Sequence, residues 1–353
     1  MFNNSNKYIL SVIGPLLAII ASLAVGAVFI IVIGKNPFEV YGILLAETLG
    51  NSYGIGQVLF KTTPLIFTGL AVAFAFKAGL FNIGAEGQLN IGAFATAWAG
   101  FTFTTLPSYL LIPVCIAAGI AGGGLWGGIA GYLKARFGSH EVINTIMLNF
   151  VAAALVSYLV NEVYSVPATI HTPEISPSAN IIRFDNITGL FSGSPFNLSF
   201  LIALLCCGLL YWVIRKTPFG YEVRTLGLNR SAAEYAKMNI RKLTISTMFI
   251  SGALAGLVGS NFVMGYKHYF ELGFSEGAGY IGIAVALIAR NNPFAVILVA
   301  FFFGILEYGG LTINTIVPKE LVAILQAILI FFTIIIAKII ERINLKPKTL
   351  LNA

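Results

Sequence analysis

Charge is the first thing this chain is short of. Only 10% of its 353 residues are Asp, Glu, Lys or Arg, where a soluble globular chain carries roughly a quarter. With 58% hydrophobic residues as well, an ordinary water-soluble domain is excluded. Cysteine is scarce too. Cys115, Cys206 and Cys207 lie in apolar runs with no CxxC and no Cys/His cluster, so they read as small hydrophobes rather than metal ligands or a redox pair. The three histidines, His140, His171 and His268, are scattered. No GxxxxGK[ST] is present, so the chain does not itself bind ATP through a P-loop. The absence of HExxH, of GxSxG and of a Ser/His/Asp set argues against an enzyme.

Long apolar runs take the place of these motifs. Residues 8–34, 57–76, 91–106, 109–133, 141–160, 197–214, 243–264 and 321–340 each read as a membrane span, at ~20 residues per crossing. The first is too long for a signal-peptide core and reads as an uncleaved span. Residues 280–289 and 293–308 form two shorter apolar runs hinged at Arg290-Asn291-Asn292. Residues 35–56 are mixed and glycine-bearing, which suits a short surface or re-entrant segment. Pro64 is expected near one end of its span and Pro113 to kink the fourth. That fourth span carries Gly119/Gly123, Gly123/Gly127, Gly124/Gly128 and Gly127/Gly131. Small residues four apart let helix backbones approach closely, so a buried, tightly packed helix is expected.

The fold class is therefore an all-α integral membrane protein of about ten transmembrane helices. Residues 1–353 form one transmembrane domain, with 162–196 as an external loop and 215–242 as a cytoplasmic segment. Ten crossings put both termini on one side. All but five of the 21 cations (Lys35, Lys61, Arg183, Lys267 and Lys319) then fall on that side, which makes it cytoplasmic. The net charge of +7 thus reports topology, and nucleic acid drops out as a partner. Five spans in each half suit an inverted repeat, an inference from span parity alone.

The basic segment 215–242 has its own grammar. Thr217-Pro218-Phe219-Gly220 breaks the sixth span, 221–226 can form a short helix, and Gly227-Leu228-Asn229 interrupts it. Ser231-Ala232-Ala233-Glu234 has capping-box spacing for a second helix reaching about Met238. Seven cations, two acids and many apolar side chains fit a hairpin that docks on a cytoplasmic partner. The alternative is a basic loop lying on anionic lipid headgroups.

Polar residues at membrane depth concentrate in two places. Residues 81–90 bring Asn82, Glu86, Gln88 and Asn90, with Gly84 and Gly87, into an apolar context. An ionised Glu at the bilayer centre costs roughly 3 kcal/mol on insertion scales, so it is kept with a partner, a cavity or a task. If this stretch is helical, Asn82, Glu86 and Asn90 share a face, as do Glu141, Thr145 and Asn149 in the fifth span. Asn82, Glu86, Gln88, Asn90, Asn144, Thr145 and Asn149 are the candidates for lining a hydrophilic path. The bland alternative is interhelical hydrogen bonding, worth about 0.6 kcal/mol per bond. Glu86 could equally be a structural partner of Lys77 or Lys134. Topology brings the stretch in from the cytoplasmic side, as a glycine-broken turn lining or gating the inner half of a pathway.

Leu80-Phe81-Asn82-Ile83-Gly84-Ala85-Glu86-Gly87-Gln88 resembles the signature of permease subunits of bacterial ABC importers. The similarity is to the branched-chain amino acid/ribose-type superfamily, in its nucleoside and simple-sugar branch. His140-Glu141-Val142-Ile143 with Thr145-Ile146-Met147-Leu148-Asn149, and Ile283-Ala284-Val285-Ala286-Leu287 with Arg290-Asn291-Asn292-Pro293, are similar to further family motifs. The stretch from Gly220-Tyr221-Glu222-Val223-Arg224 to Ile240 looks like the family's coupling segment, with Gly227, Asn229, Ser231, Ala233, Glu234 and Met238 inside it. It departs from the EAA loop of other importer permeases, so only its docking role is carried over.

The resemblance implies a non-catalytic subunit in a bacterial cytoplasmic (inner) membrane, with no cofactor of its own. ATP and Mg would be handled by a separate cytoplasmic ATPase subunit. A second homologous permease, as a heterodimer, would complete the pathway, and an extracytoplasmic binding protein would deliver substrate. Nucleosides are the expected substrate, with simple sugars such as ribose as the near alternative. A stand-alone secondary transporter is the reading from a different class, and a purely structural membrane subunit is a third.

Overall fold

The computed structural model describes residues 4–318 and 320–345, so Lys319, Lys346 and Lys348 of the charge argument lie outside the described residues. Among the described residues every regular element is a helix, and the only strand-like pairings are two isolated antiparallel bridges, His171–Glu271 and Arg183–Asn197. It divides into two compact units, residues 1–51 with 305–353, and residues 52–304.

The first unit holds α1 (Asn4–Val32), α2 (Pro37–Leu49) and α14 (Glu320–Leu345). Gly34, in the left-handed region, turns the chain between the first two. Asn36 then caps α2 by accepting the Phe38 N–H, with Pro37 at the first helical position. The segment expected to be a surface or re-entrant piece is thus a helix, bent 117° from Ile19–Val32. The Tyr41 hydroxyl donates to the Leu23 carbonyl across the bend.

The second unit is built around α3 (Ser52–Lys77), whose apolar stretch is 89% buried. Pro64 lies inside this helix, not near its end. With it in this unit are α4 (Ala85–Thr102), α5 (Ser108–Phe137), α6 (Glu141–Tyr158) and α8 (Ser199–Lys216). They are joined by α11 (Ile240–Gly256), α12 (Ala278–Ile288) and α13 (Pro293–Thr312); the division between the units falls within α13. Wide π-helical turns extend α6 over Leu159–Val163 and follow α11 over Ser260–Lys267.

The glycine pairs of α5 are its seam with α11. A Cβ on Gly123 would stand 2.3 Å from the Gly252 carbonyl oxygen, and one on Gly252 2.1 Å from that of Gly123. Gly119 and Gly256 interlock in the same way. Only hydrogen fits there, so the two backbones touch.

The loop over residues 162–196, expected to be external, is pinned along its length. Thr172, Ile175 and Ile181 donate their backbone N–H groups to Phe270, His268 and Met264, and Ser176 donates to Gly100. A 3-10 turn at Pro177–Ala179 and the single turn α7 (Asp185–Thr188) lie within it. Phe270, Phe94, Met264 and Ile175 meet in an apolar core beneath.

Six helices are individually long and apolar enough to cross a bilayer: α3, α5, α6, α8, α11 and α13, with their π-turns included. The bent α1–α2 pair brings the number to seven among the described residues. Ten crossings would ask α4, α12 and α14 to span as well. Of these, α12 has 11 residues, or ~16 Å, half of a ~30 Å hydrocarbon core.

Candidate functional site

The polar stretch is not a broken turn throughout. The helix expected from residue 91 begins at Ala85, so Glu86, Gln88 and Asn90 are helical. Asn82 sits in the turn before it and does not share their face. Its side chain accepts the Gly84 N–H at 2.9 Å and donates to Gln88 Oε1 and Ser251 Oγ at 2.8 Å each. Ser251 passes the chain on to the Ala71 carbonyl. Asn82 and Gln88 are fully buried, and their bonds fasten α4 to α11 and α3.

Glu86 pairs with neither Lys77 nor Lys134. Lys134 is taken by Glu141 across the α5–α6 turn. The Glu86 carboxylate instead meets the amino end of α12: Oε2 accepts the Gly279 N–H at 2.8 Å, and Oε1 accepts the Ser275 hydroxyl. The amino end of a helix leaves N–H groups unpaired and carries partial positive charge, so a carboxylate is at home there. Asn90, one turn on, donates to the Glu86 carbonyl at 2.8 Å.

Asn149 joins three elements. Its Oδ1 accepts the Gly87 N–H at 2.8 Å, and its Nδ2 donates to the Ile83 carbonyl at 3.0 Å and reaches the Tyr280 hydroxyl at 3.4 Å. Thr145 is buried against Gly84 and donates to the Glu141 carbonyl. Asn144 turns away from this group to Ser139 Oγ. The predicted face Glu141, Thr145, Asn149 is the buried face of α6, followed by Ala152 and Val156.

Three helices measure the depth of this cluster. Thr68, whose hydroxyl donates to the Ala278 carbonyl, is nine residues from Lys77 at the end of α3. Asn149 is eight residues from Glu141 at the start of α6, and Ala278 ten from Ile288 at the end of α12. At ~1.5 Å per residue these give ~12–15 Å, half of the hydrocarbon thickness. There Glu86 and Asn90 are half-buried while the Tyr280 ring is 48% exposed.

Ser275, Gly279 and Tyr280 were missed by sequence reasoning. The signal available was Gly273, Ser275, Glu276, Gly277 and Gly279 just before an apolar run too short to cross. That pattern marks a discontinuous helix with its amino end at mid-membrane.

The hairpin of the basic segment consists of α9 (Pro218–Leu228) and α10 (Arg230–Tyr235). Thr217 caps α9 by accepting the Gly220 N–H. The cap of α10 is Asn229, which accepts the Ala232 N–H, rather than Ser231. Glu234 pairs with Arg230 four residues back instead of closing a capping box, and the helix stops before Met238. Val223, Leu226 and Ala233 are buried, whereas Tyr221, Leu228 and Tyr235 are 57%, 88% and 93% exposed. Arg224 donates to the Gly220 carbonyl, and Glu222 is half-buried. A Cβ on Gly227 would lie 2.2 Å from the Lys77 carbonyl oxygen, so α9 is pressed onto the α3–α4 turn that leads into Asn82. Among the described residues no three His, Cys, Asp or Glu are grouped to hold a metal ion.

The family model described as "Branched-chain amino acid transport system / permease component" matches residues 54–334. The guanosine ABC transporter permease protein NupP of Bacillus subtilis is 41% identical over 90% of this chain and 91% of its own length. The nucleoside ABC transporter permease protein NupB of Lactococcus lactis is 34% identical over 99% and 96%. The glucose ABC transporter permease protein TsgB13 of Haloferax volcanii is 35% identical over 91% and 86%. The chain belongs to this permease family and is a multi-pass membrane protein.

Proposed function

We propose that this permease is the transmembrane subunit of an ATP-driven nucleoside importer in a bacterial cytoplasmic membrane. The observation that carries the substrate class is the 41% identity to a guanosine permease along nine-tenths of both chains. ATP hydrolysis, with its Mg, takes place on a separate subunit that receives α9 and α10, and this chain is not itself an enzyme. A second homologous permease closes the pathway as a heterodimer, and an external binding protein delivers substrate at the 162–196 face.

Coupling follows a short route. The exposed Leu228 and Tyr235 give a nucleotide-dependent partner something apolar to hold. Gly227 against the Lys77 carbonyl carries a displacement of α9 into the α3–α4 turn. Asn82 and Asn149 connect that turn to α11 and α6. A movement at the cytoplasm therefore reaches the Glu86 cluster through contiguous hydrogen bonds and close-packed backbone.

Simple sugars are a second reading, favoured by the 35% identity to a glucose permease. Uptake of labelled guanosine by cells carrying the complete transporter, competed with unlabelled nucleosides and pentoses, separates the two. Competition by nucleosides and not by free ribose or glucose is expected. Competition by the sugars alone would replace the substrate assignment.

A further inference from the structure

The Glu86 cluster has an open side, and lipid is a poor candidate to cover it. A carboxylate, an amide and a phenol facing acyl chains at mid-depth would lack partners for their free lone pairs and N–H groups. The exposed faces of α5 and α8 look different, with Leu125 and Ile129 on one and Leu205 and Leu209 on the other. The side of the chain bearing Glu86, Asn90 and Tyr280 therefore faces water or protein, as the wall of a pathway does.

On that wall α12 is held with unusual firmness for a helix of 11 residues. Glu86 binds its first turn through Gly279 and the loop leading into it through Ser275, three residues before Ala278. Thr68 holds the Ala278 carbonyl. A Cβ on Gly279 would fall 2.4 Å from the Glu86 nitrogen, and one on Gly282 2.4 Å from the Thr68 hydroxyl. The preceding loop places Gly273, Glu276 and Gly277 at positive φ, with Glu276 tied to Lys61 at 2.7 Å. A non-glycine residue in that region stores strain, which persists only where the surroundings over-determine it. The other end turns at Arg290 and Asn291, again both at positive φ.

This clamp presents Tyr280, in the first turn of α12, with its ring half open and its hydroxyl beside Asn149. Asn90, half-buried on the neighbouring helix, lies next to the same carboxylate. A flat aromatic face beside amide groups suits a ligand that is flat on one part and hydroxylated on another. A nucleoside is such a ligand: the base stacks and the ribose hydroxyls bond. We propose that Tyr280 contacts the transported nucleoside and that Glu86 is a positioning residue, which holds Tyr280 in place by clamping the amino end of α12. This inference rests on the nucleoside reading above.

The test uses the assembled transporter, with its ATPase, second permease and binding protein, in proteoliposomes. Tyr280→Ala is expected to raise the KM for nucleoside roughly tenfold or more, with the maximal rate changed far less. Tyr280→Phe, which keeps the ring, should raise it only a few-fold. Glu86→Gln and Ser275→Ala, which keep the packing, should shift KM in the same direction as Tyr280→Ala. Combined with Tyr280→Ala they should add little, because Glu86 acts through Tyr280. A structural residue would instead lower the amount of folded complex and leave KM alone. An unchanged KM in Tyr280→Ala, or fully additive effects in the double variant, would overturn the proposal. Failure of the wild-type complex to take up any nucleoside would overturn the substrate assignment instead.

Discussion

Asn261 supplies the hydrogen bond that Pro64 takes away. Proline has no N–H, so Pro64 leaves the Phe60 carbonyl inside α3 without its helical partner. The Asn261 side chain, from the π-helical turn after α11, donates to that oxygen at 3.3 Å. It also accepts from Asn197 Nδ2 at 3.1 Å. In a helix surrounded by protein and lipid, an orphan carbonyl must find a donor on a neighbour.

The pair should therefore be coupled. Asn261→Ala is expected to destabilise the detergent-solubilised protein. In a Pro64→Ala background the helix regains its own bond, and the loss should shrink by about 0.6–1 kcal/mol. A double-mutant cycle of unfolding free energies measures this, and strictly additive losses would contradict it.

The α5–α11 seam makes a steric prediction. Gly252→Val forces a side chain into the Gly123 backbone, and should cost at least about 1–3 kcal/mol or prevent folding. Gly128, where a Cβ would meet nothing nearer than 3.6 Å, is the internal control. Gly128→Ala should leave the melting temperature within a degree or two. Equal tolerance at the two positions would mean that the helices do not touch here.

His268 brings a pH dependence beside the 162–196 loop, where its carbonyl accepts the Ile175 N–H. Burial pushes its imidazole below the ordinary value of 6.5, the Arg183 charge adds to this, and Glu174 opposes it. The folded chain thus holds the neutral ring, while the unfolded chain takes up a proton first as the pH falls. Its contribution to stability is full above about pH 6.5 and is lost as the pH drops below it towards the folded pKa. Melting temperatures between pH 7.5 and 5.5 should fall for the wild type and fall less for His268→Gln. Parallel curves would remove His268 from the account.

At the hairpin, Tyr235→Asp and Leu228→Asp place charge where apolar side chains stand exposed. Both should leave the melting temperature of the isolated permease nearly unchanged, since surface substitutions usually stay within about 0.5 kcal/mol. Both should weaken co-purification of the ATPase subunit tenfold or more. Gly227→Val, by contrast, should keep the ATPase bound but lower transport per ATP hydrolysed, because it prises α9 from the Lys77 carbonyl. Undiminished pull-down with either Asp variant would move the docking surface elsewhere.

Much of this architecture was legible in the residues. Four-residue spacing of small side chains found the α5 seam, although the apolar stretch of that helix is only 33% buried, and the same spacing put Glu141, Thr145 and Asn149 on one face of α6. What spacing could not say is where a buried carboxylate finds its partner. Glu86 bonds a backbone N–H and a serine nearly two hundred positions away, and every residue but proline has such an N–H. Hydropathy alone reads α12 as a crossing, and its length of 11 residues is what marks it as too short for one. At Ser231 the capping-box spacing misled, and Asn229 is the cap because α9 runs on to Leu228 and leaves Asn229 extended, at φ −157°. The ten-span count treated every apolar run alike, whereas the helices differ in how much lipid or protein they meet.

The central claim is that this chain moves nucleosides only as part of an ATP-driven assembly. The most direct measurement is uptake of labelled guanosine into proteoliposomes that hold either the purified chain alone or the complete complex. The account predicts uptake by the complex with ATP and binding protein, none by the chain alone, and loss of uptake when residues 220–238 are deleted from the complex. Guanosine uptake by the chain alone, driven by an ion gradient without ATP, would contradict it and make this protein a secondary transporter.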